Sequence, residues 1–113
     1  MNLWEKQALF CENVSYLIQE INRQGFKSTL GECYRSPEQA ALNAKAGKGI
    51  VNSLHCQRLA IDLNLFSNKG EYLTKKEYYE QFGTFWKNLH PQNRWGGDFK
   101  TLVDSNHFEM QNI

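Results

Sequence analysis

From Trp4 to Ile21, apolar side chains recur every three or four positions, at Trp4, Ala8, Cys11, Val14, Leu17, Ile18 and Ile21. That spacing predicts a helix with one apolar face over residues 3 to about 24, and Gly25 supplies its C-terminal stop. Residues 26–34 carry enough Phe, Thr, Leu and Tyr for a strand, although the alternation is poor and Gly31 interrupts it. Ser36-Pro37-Glu38-Gln39 sets a capping hydroxyl before a first-turn proline, with Gln three residues on. A second helix is therefore predicted from that point through the alanine-rich run to Ala46. Gly47-Lys48-Gly49 ends it in a loop that runs through Asn52-Ser53. Thr74-Lys75-Lys76-Glu77 reads as a second capping box, leading into Tyr78, Phe82, Phe85, Trp86 and Leu89 at helical spacing, and His90-Pro91 closes that helix.

Between the helices the period changes to two. Leu59, Ile61, Leu63 and Leu65 point one way while Ala60, Asp62 and Asn64 point the other, which predicts a half-buried strand through Phe66. His107 to Gln111 repeats the pattern, with Phe108 and Met110 on one side and His107 and Glu109 on the other. If these two strands share a sheet, their apolar faces pack on the helices and Asp62 meets His107 on the opposite face.

The length of 113 residues fits one domain, 1–113, with any substrate contact made by that same unit. Thirteen Lys and Arg stand against twelve Asp and Glu, and no basic stripe is interleaved with aromatics, which argues against nucleic acid as a partner. No run is long and apolar enough for membrane insertion, and the N-terminus lacks the apolar core of a secretory signal. A monomer made and held in the cytoplasm is expected. Cys11, Cys33 and Cys56 are odd in number and contain no Cys-x-x-Cys pair, so they are read as reduced thiols.

The candidate chemistry lies in His55, Asp62, Asp104 and His107. Two imidazoles and one carboxylate complete the protein share of a catalytic zinc shell and leave a position for water, whose pKa such a site lowers toward about 7. His55, Asp62 and His107 are the expected ligands. The turn character of Asp104-Ser105-Asn106 folds the Asp104 carboxylate back toward the same point, where it can take a proton from water and pass it to a leaving amine. Glu109 shares the face of His107 and competes for that role, or else orients a ligand. Arg35, between the first strand and the second helix, suits either a developing oxyanion or a substrate carboxylate. Cys56 reads as a buried spectator and His90 as a helix terminus. Trp95-Gly96-Gly97-Asp98 is either a tight turn with Trp in the core or one wall of a cleft.

Four blocks occur in order: Tyr34-Arg35-Ser36-Pro37-Glu38-Gln39, Ser53-Leu54-His55 through Ala60-Ile61-Asp62-Leu63, Trp95-Gly96-Gly97-Asp98-Phe99, and Asp104-Ser105-Asn106-His107-Phe108. Together they resemble the zinc D-alanyl-D-alanine carboxypeptidase and L-alanyl-D-glutamate endopeptidase family, which includes VanY-like enzymes and phage endolysins. The resemblance covers roughly residues 31 to 111. It implies a small α+β domain with a central antiparallel sheet flanked by helices, shared with the Hedgehog signalling domain. It implies Zn2+ held by His55, Asp62 and His107, Asp104 as acid and base, and Arg35 as the arginine that binds substrate and stabilises the transition state. Ser53 and Gln39 match positions lining the family's cleft. The implied substrate is the stem peptide of peptidoglycan, cut between L-Ala and D-Glu by a single-domain lysin without a separate wall-binding module. Such a lysin suits the thin wall of a Gram-negative host and needs a holin or similar breach to reach the periplasm or wall. A D-alanyl-D-alanine carboxypeptidase is the rival within the class, and a noncatalytic zinc-stabilised wall-binding or signalling module is the rival outside it.

Overall fold

In the computed structural model, which describes residues 1–50 and 52–113, the two period-two segments lie side by side. The elements in chain order are α1 (Leu3–Arg23), β1 (Lys27–Leu30), α2 (Pro37–Lys45), β2 (Ala60–Phe66), β3 (Tyr72–Leu73), α3 (Lys76–Leu89), β4 (Asn93–Trp95) and β5 (His107–Met110). Single 3₁₀ turns at Leu54–Gln57 and Gly96–Asp98 precede β2 and follow β4. All pairings are antiparallel, in the order β1-β2-β5-β4, with β3 pairing the far end of β2. This is the α+β architecture with a central antiparallel sheet.

Leu59, Ile61, Leu63 and Leu65 are buried with Phe108 and Met110 against α1 and α3, as the alternation requires. The helix faces differ from expectation in detail. On α1 the buried residues include Phe10, Val14, Leu17 and Ile21, while Trp4, Ala8 and Cys11 are exposed. Phe10 sets this orientation: its ring meets Trp86 edge-on at 5.5 Å between centroids. Turning Phe10 inward carries Cys11 about 100° round the helix, off the sheet. On α3, Tyr79 replaces Tyr78 in the core because its hydroxyl accepts from Leu65 N at 3.0 Å and donates to Leu73 O at 2.8 Å, tying β3 to β2.

Both predicted caps are modified. Ser36 Oγ accepts from Gln39 N at 3.1 Å, but the Gln39 side chain turns forward to Asn43 instead of completing a reciprocal box. The Thr74 box does not form. The cap residue is Lys75, without a side-chain bond, one position after the Thr74 that follows β3. The predicted strand over 26–34 shortens to an edge strand whose residues are mostly exposed, which is why its alternation is weak. Of the loop expected between Gly47 and Ser53, Val51 lies outside the described residues.

Gly83, inside α3, and Gly97 hold Trp95 between them. A Cβ on either glycine would come within 2.2 Å of the indole. Trp95 is 2% exposed, and its Nε1 donates to Ser105 O at 2.7 Å. The Trp-Gly-Gly segment is therefore core and turn, and the cleft is lined by residues on either side of it, Arg94 and Phe99.

Candidate metal centre and cleft

β2 and β5 pair with Asp62 opposite His107, so the two polar side chains leave the sheet together on the face away from the core. His55 arrives from the 3₁₀ turn before β2. Ser53 caps that turn by accepting from His55 N at 3.2 Å, and Arg58, left-handed at φ 55°, reverses the chain into β2. The result is a triangle of donor atoms. His55 Nε2 lies 3.2 Å from His107 Nδ1, His107 Nδ1 lies 3.2 Å from Asp62 Oδ1, and Asp62 Oδ1 lies 3.4 Å from His55 Nε2.

That triangle can be tested against zinc. Tetrahedral coordination at ligand distances of about 2.0–2.1 Å separates neighbouring ligand atoms by about 3.3–3.4 Å. The three edges match, and two nitrogens with one carboxylate oxygen are a zinc donor set. The remaining ring nitrogens are engaged so as to leave those donors free. His55 Nδ1 donates to Cys33 O at 3.2 Å, and His107 Nε2 donates to Glu109 Oε1 at 2.7 Å. Each partner fixes a tautomer and a ring orientation.

The electrostatics follow from the same contacts. Burial opposes ionisation of Asp62, but hydrogen bonds from His107 and His55 outweigh it and lower the carboxyl to about 2. Burial likewise disfavours charge on His107, yet its bonds to Asp62 and Glu109 raise it to about 9. Glu109 would be raised by its own burial, but is held below the usual range by His107 and Arg94. Arg94 Nε donates to Glu109 Oε2 at 2.8 Å and its Nη2 pairs with the same oxygen. Both Glu109 oxygens are thus occupied, which suits a residue that orients His107 and not one that handles water.

A cleft of about 420 Å³ opens beside the triangle, lined by residues 48–50, 52–55 and 99–102 together with Arg35, Arg94, Asp104, His107 and Glu109. Asp104 stands at its surface. The turn from Asp104 to His107 is closed by His107 N donating to Asp104 O at 3.1 Å and anchored by Asp104 N donating to Gly96 O at 3.0 Å. Partial desolvation by the cleft walls, and then the negative charge of Asp62, raise the Asp104 carboxyl above the ordinary range. Arg35 lines the cleft, with Nη1 donating to Ser53 Oγ at 3.4 Å, and Ser53 is buried beside it.

His55, Asp62, His107, Asp104, Arg35 and Ser53 are thus gathered at one place. Gln39 is not: it is exposed on α2, its amide donates to Asn43 Oδ1 at 2.7 Å, and it is absent from the described cleft wall. The α2 turn directs that side chain along its own helix. Cys56 is half-buried and outside the donor triangle, and His90 Nδ1 accepts from Gln92 N at 3.1 Å beyond the end of α3. Sequence reasoning missed Glu32, Arg94 and Phe99. Glu32 Oε1 lies 3.9 Å from His55 Nε2, and the Phe99 ring lies 5.7 Å from that of His107. Only the spacing of Glu32 three residues before Arg35 hinted at the first.

A family model described as D-alanyl-D-alanine carboxypeptidase matches residues 46–110, which include all three donor residues and Asp104 but not Arg35 or Gln39. In fold the chain is similar to the crystal structure of the Serratia marcescens L-Ala D-Glu endopeptidase ChiX. The TM-score is 0.68 and the identity 24%, over 84% of this chain and 75% of that one.

Proposed function

Since the chain belongs to the D-alanyl-D-alanine carboxypeptidase family, and is therefore a peptidase acting on peptidoglycan stem peptides, we propose that it is a zinc endopeptidase cutting between L-Ala and D-Glu. The observation that carries the reading is the matched donor triangle opening onto a cleft that also holds Asp104 and Arg35.

His55, Asp62 and His107 are the residues that would hold zinc. Bound there, the metal supplies Lewis acidity and a water that ionises near neutral pH. Asp104 accepts the proton of the attacking water and returns it to the leaving amine, a role helped by a carboxyl already raised above its usual range. Arg35 offers the Nη1 end of its guanidinium to the carbonyl oxygen as negative charge develops there. Glu109, braced by Arg94, keeps His107 in the tautomer that leaves Nδ1 free.

Two features support an internal cut. The fold resembles an enzyme described as an L-Ala D-Glu endopeptidase. The cleft carries Lys48 from one part of the chain and Lys100 from another, which suits a peptide bearing carboxylates along its length. Gathering of Asp104 and Arg35 beside the donors counts against a noncatalytic module. The endolysin role, with a cytoplasmic monomer reaching the wall through a holin-type breach, extends the reading to biology. No helix among the described residues is long and apolar enough to cross a membrane.

Mass spectrometry of purified peptidoglycan digested by zinc-loaded protein tests the proposal, with chelated protein and Asp104→Asn as controls. The expected products are stems split at L-Ala–D-Glu, lost on chelation. In Asp104→Asn, kcat falls by about 10²–10⁴ with zinc content unchanged. Free D-Ala as the product moves the assignment to carboxypeptidase, and full turnover by Asp104→Asn removes that residue from the mechanism.

A further inference from the structure

The segment from Gly31 to Arg35 runs along the site and contacts Asp62, His55 and Ser53. Gly31 N donates to Asp62 O at 2.7 Å, and Asp62 N donates to Glu32 O at 2.9 Å. Cys33 O receives His55 Nδ1 at 3.2 Å, and Arg35 N donates to His55 O at 3.2 Å. Gly31 permits this approach, since a Cβ there would stand 3.0 Å from both the Cβ and the carbonyl oxygen of Asp62.

Within this segment the Glu32 side chain turns to the site. Its Oε1 accepts from Arg35 Nε at 2.7 Å, pairs with Arg35 Nη2, and lies 3.9 Å from His55 Nε2. A guanidinium is planar, so fixing its Nε–Nη2 edge fixes where its Nη1 end points. That end reaches Ser53 Oγ at 3.4 Å on the cleft wall. Glu32 is the carboxylate that pairs with Arg35 among the described residues. With side-chain exposures of 35% for Glu32 and 14% for Arg35, the pair is partly buried in the wall of the site.

We infer that Glu32 is a positioning residue, which holds the Nε–Nη2 edge of Arg35 so that the Nη1 end is presented to the substrate carbonyl in the cleft. The inference rests on the peptidase reading of that cleft. It assigns the two edges of one side chain different tasks: the side edge anchors, and the outer end contacts substrate. It also accounts for a glycine immediately before Glu32, because the backbone must lie against Asp62 for the carboxylate to reach both Arg35 and the neighbourhood of His55.

The test compares wild type, Glu32→Gln, Arg35→Gln and the double variant on a stem-peptide substrate. Zinc affinity, melting temperature and the solvent exchange of the Arg35 Nε–H in 15N spectra are measured on the same proteins. Glu32→Gln should lower kcat/KM by about tenfold to a hundredfold, chiefly in kcat, with zinc affinity unchanged and the protein still folded at the assay temperature. It should accelerate exchange of the Arg35 Nε–H, and it should add no further loss once Arg35 is replaced. Additive losses in the double variant, an unchanged Nε–H, or a fall in zinc affinity that accounts for the lost activity would each overturn the role. A wild-type protein that cleaves no stem peptide overturns the peptidase reading and this role together. An active wild type beside a neutral Glu32→Gln overturns the role alone.

Discussion

Replacing Gly96 by alanine tests how closely the proposed zinc site depends on the turn that carries His107. The added Cβ would stand 2.1 Å from Asp104 O and 2.9 Å from His107 Cβ. An ordinary contact of carbon with a carbonyl oxygen is about 3.3 Å, so the turn must open by roughly 1.2 Å. The obstacle is backbone, and the same backbone is held by Asp104 N and Phe99 N, which both donate to Gly96 O. Overpacking of this kind costs about 2–3 kcal/mol and lowers the melting temperature by ~8–12 °C. The larger effect falls on zinc, because metal sites tolerate only about 0.2 Å of misplacement and His107 moves with the turn. Zinc affinity, measured by competition with a chelator, should fall at least about tenfold to a hundredfold. Gly97→Ala is the control: its Cβ meets the Trp95 ring at 2.2 Å, so it should destabilise the core while leaving zinc affinity near wild type. A Gly96→Ala protein that binds zinc as wild type does would refute the coupling of turn to metal.

Removing the carboxylate that orients His107 gives a second expectation. Glu109→Gln should weaken zinc binding by about 10–100-fold with a smaller change in stability, and competition titration checks it. The metal-free protein should also show a defined pH window. His107, raised to about 9, contributes stability that is whole below its unfolded value of about 6.5 and is lost as pH rises through 9; Asp62, lowered to about 2, contributes stability that is whole above about 3.9 and is lost as pH falls through 2. Melting temperature without metal should therefore be highest between roughly pH 4 and 6.5, and zinc binding at pH 7.5 should release about one proton, read by calorimetry in buffers of different ionisation enthalpy. Binding without proton release would show that His107 is neutral before the metal arrives.

Much of the fold can be read along the chain because periodicity is a local property. The period-two runs over 59–66 and 107–110 and the three-and-four spacing of α1 and α3 follow from which side chains avoid water. Helix orientation was less legible. Whether Phe10 or Cys11 faces inward, and Tyr79 or Tyr78, depends on ring packing and on a hydroxyl that finds Leu65 and Leu73 across space. β3 and β4 left little trace because short strands of two and three residues carry too few positions to establish a period.

The site divides in the same way. The residue types His55, Asp62, Asp104 and His107, the turn before His107, and the pairing of Asp62 with His107 on the polar face were all implied by order and alternation. Tertiary structure alone decided that three donor atoms close a triangle with edges of 3.2–3.4 Å, that Glu109 is bound at both oxygens, and that Gln39 stays on its own helix. It also placed Glu32 against Arg35 and made Gly96 a steric requirement of the turn that carries His107. The reason is physical: chain order fixes which groups are available and which face each occupies, whereas coordination and hydrogen bonding depend on separations of tenths of an ångström that only packing across the chain sets.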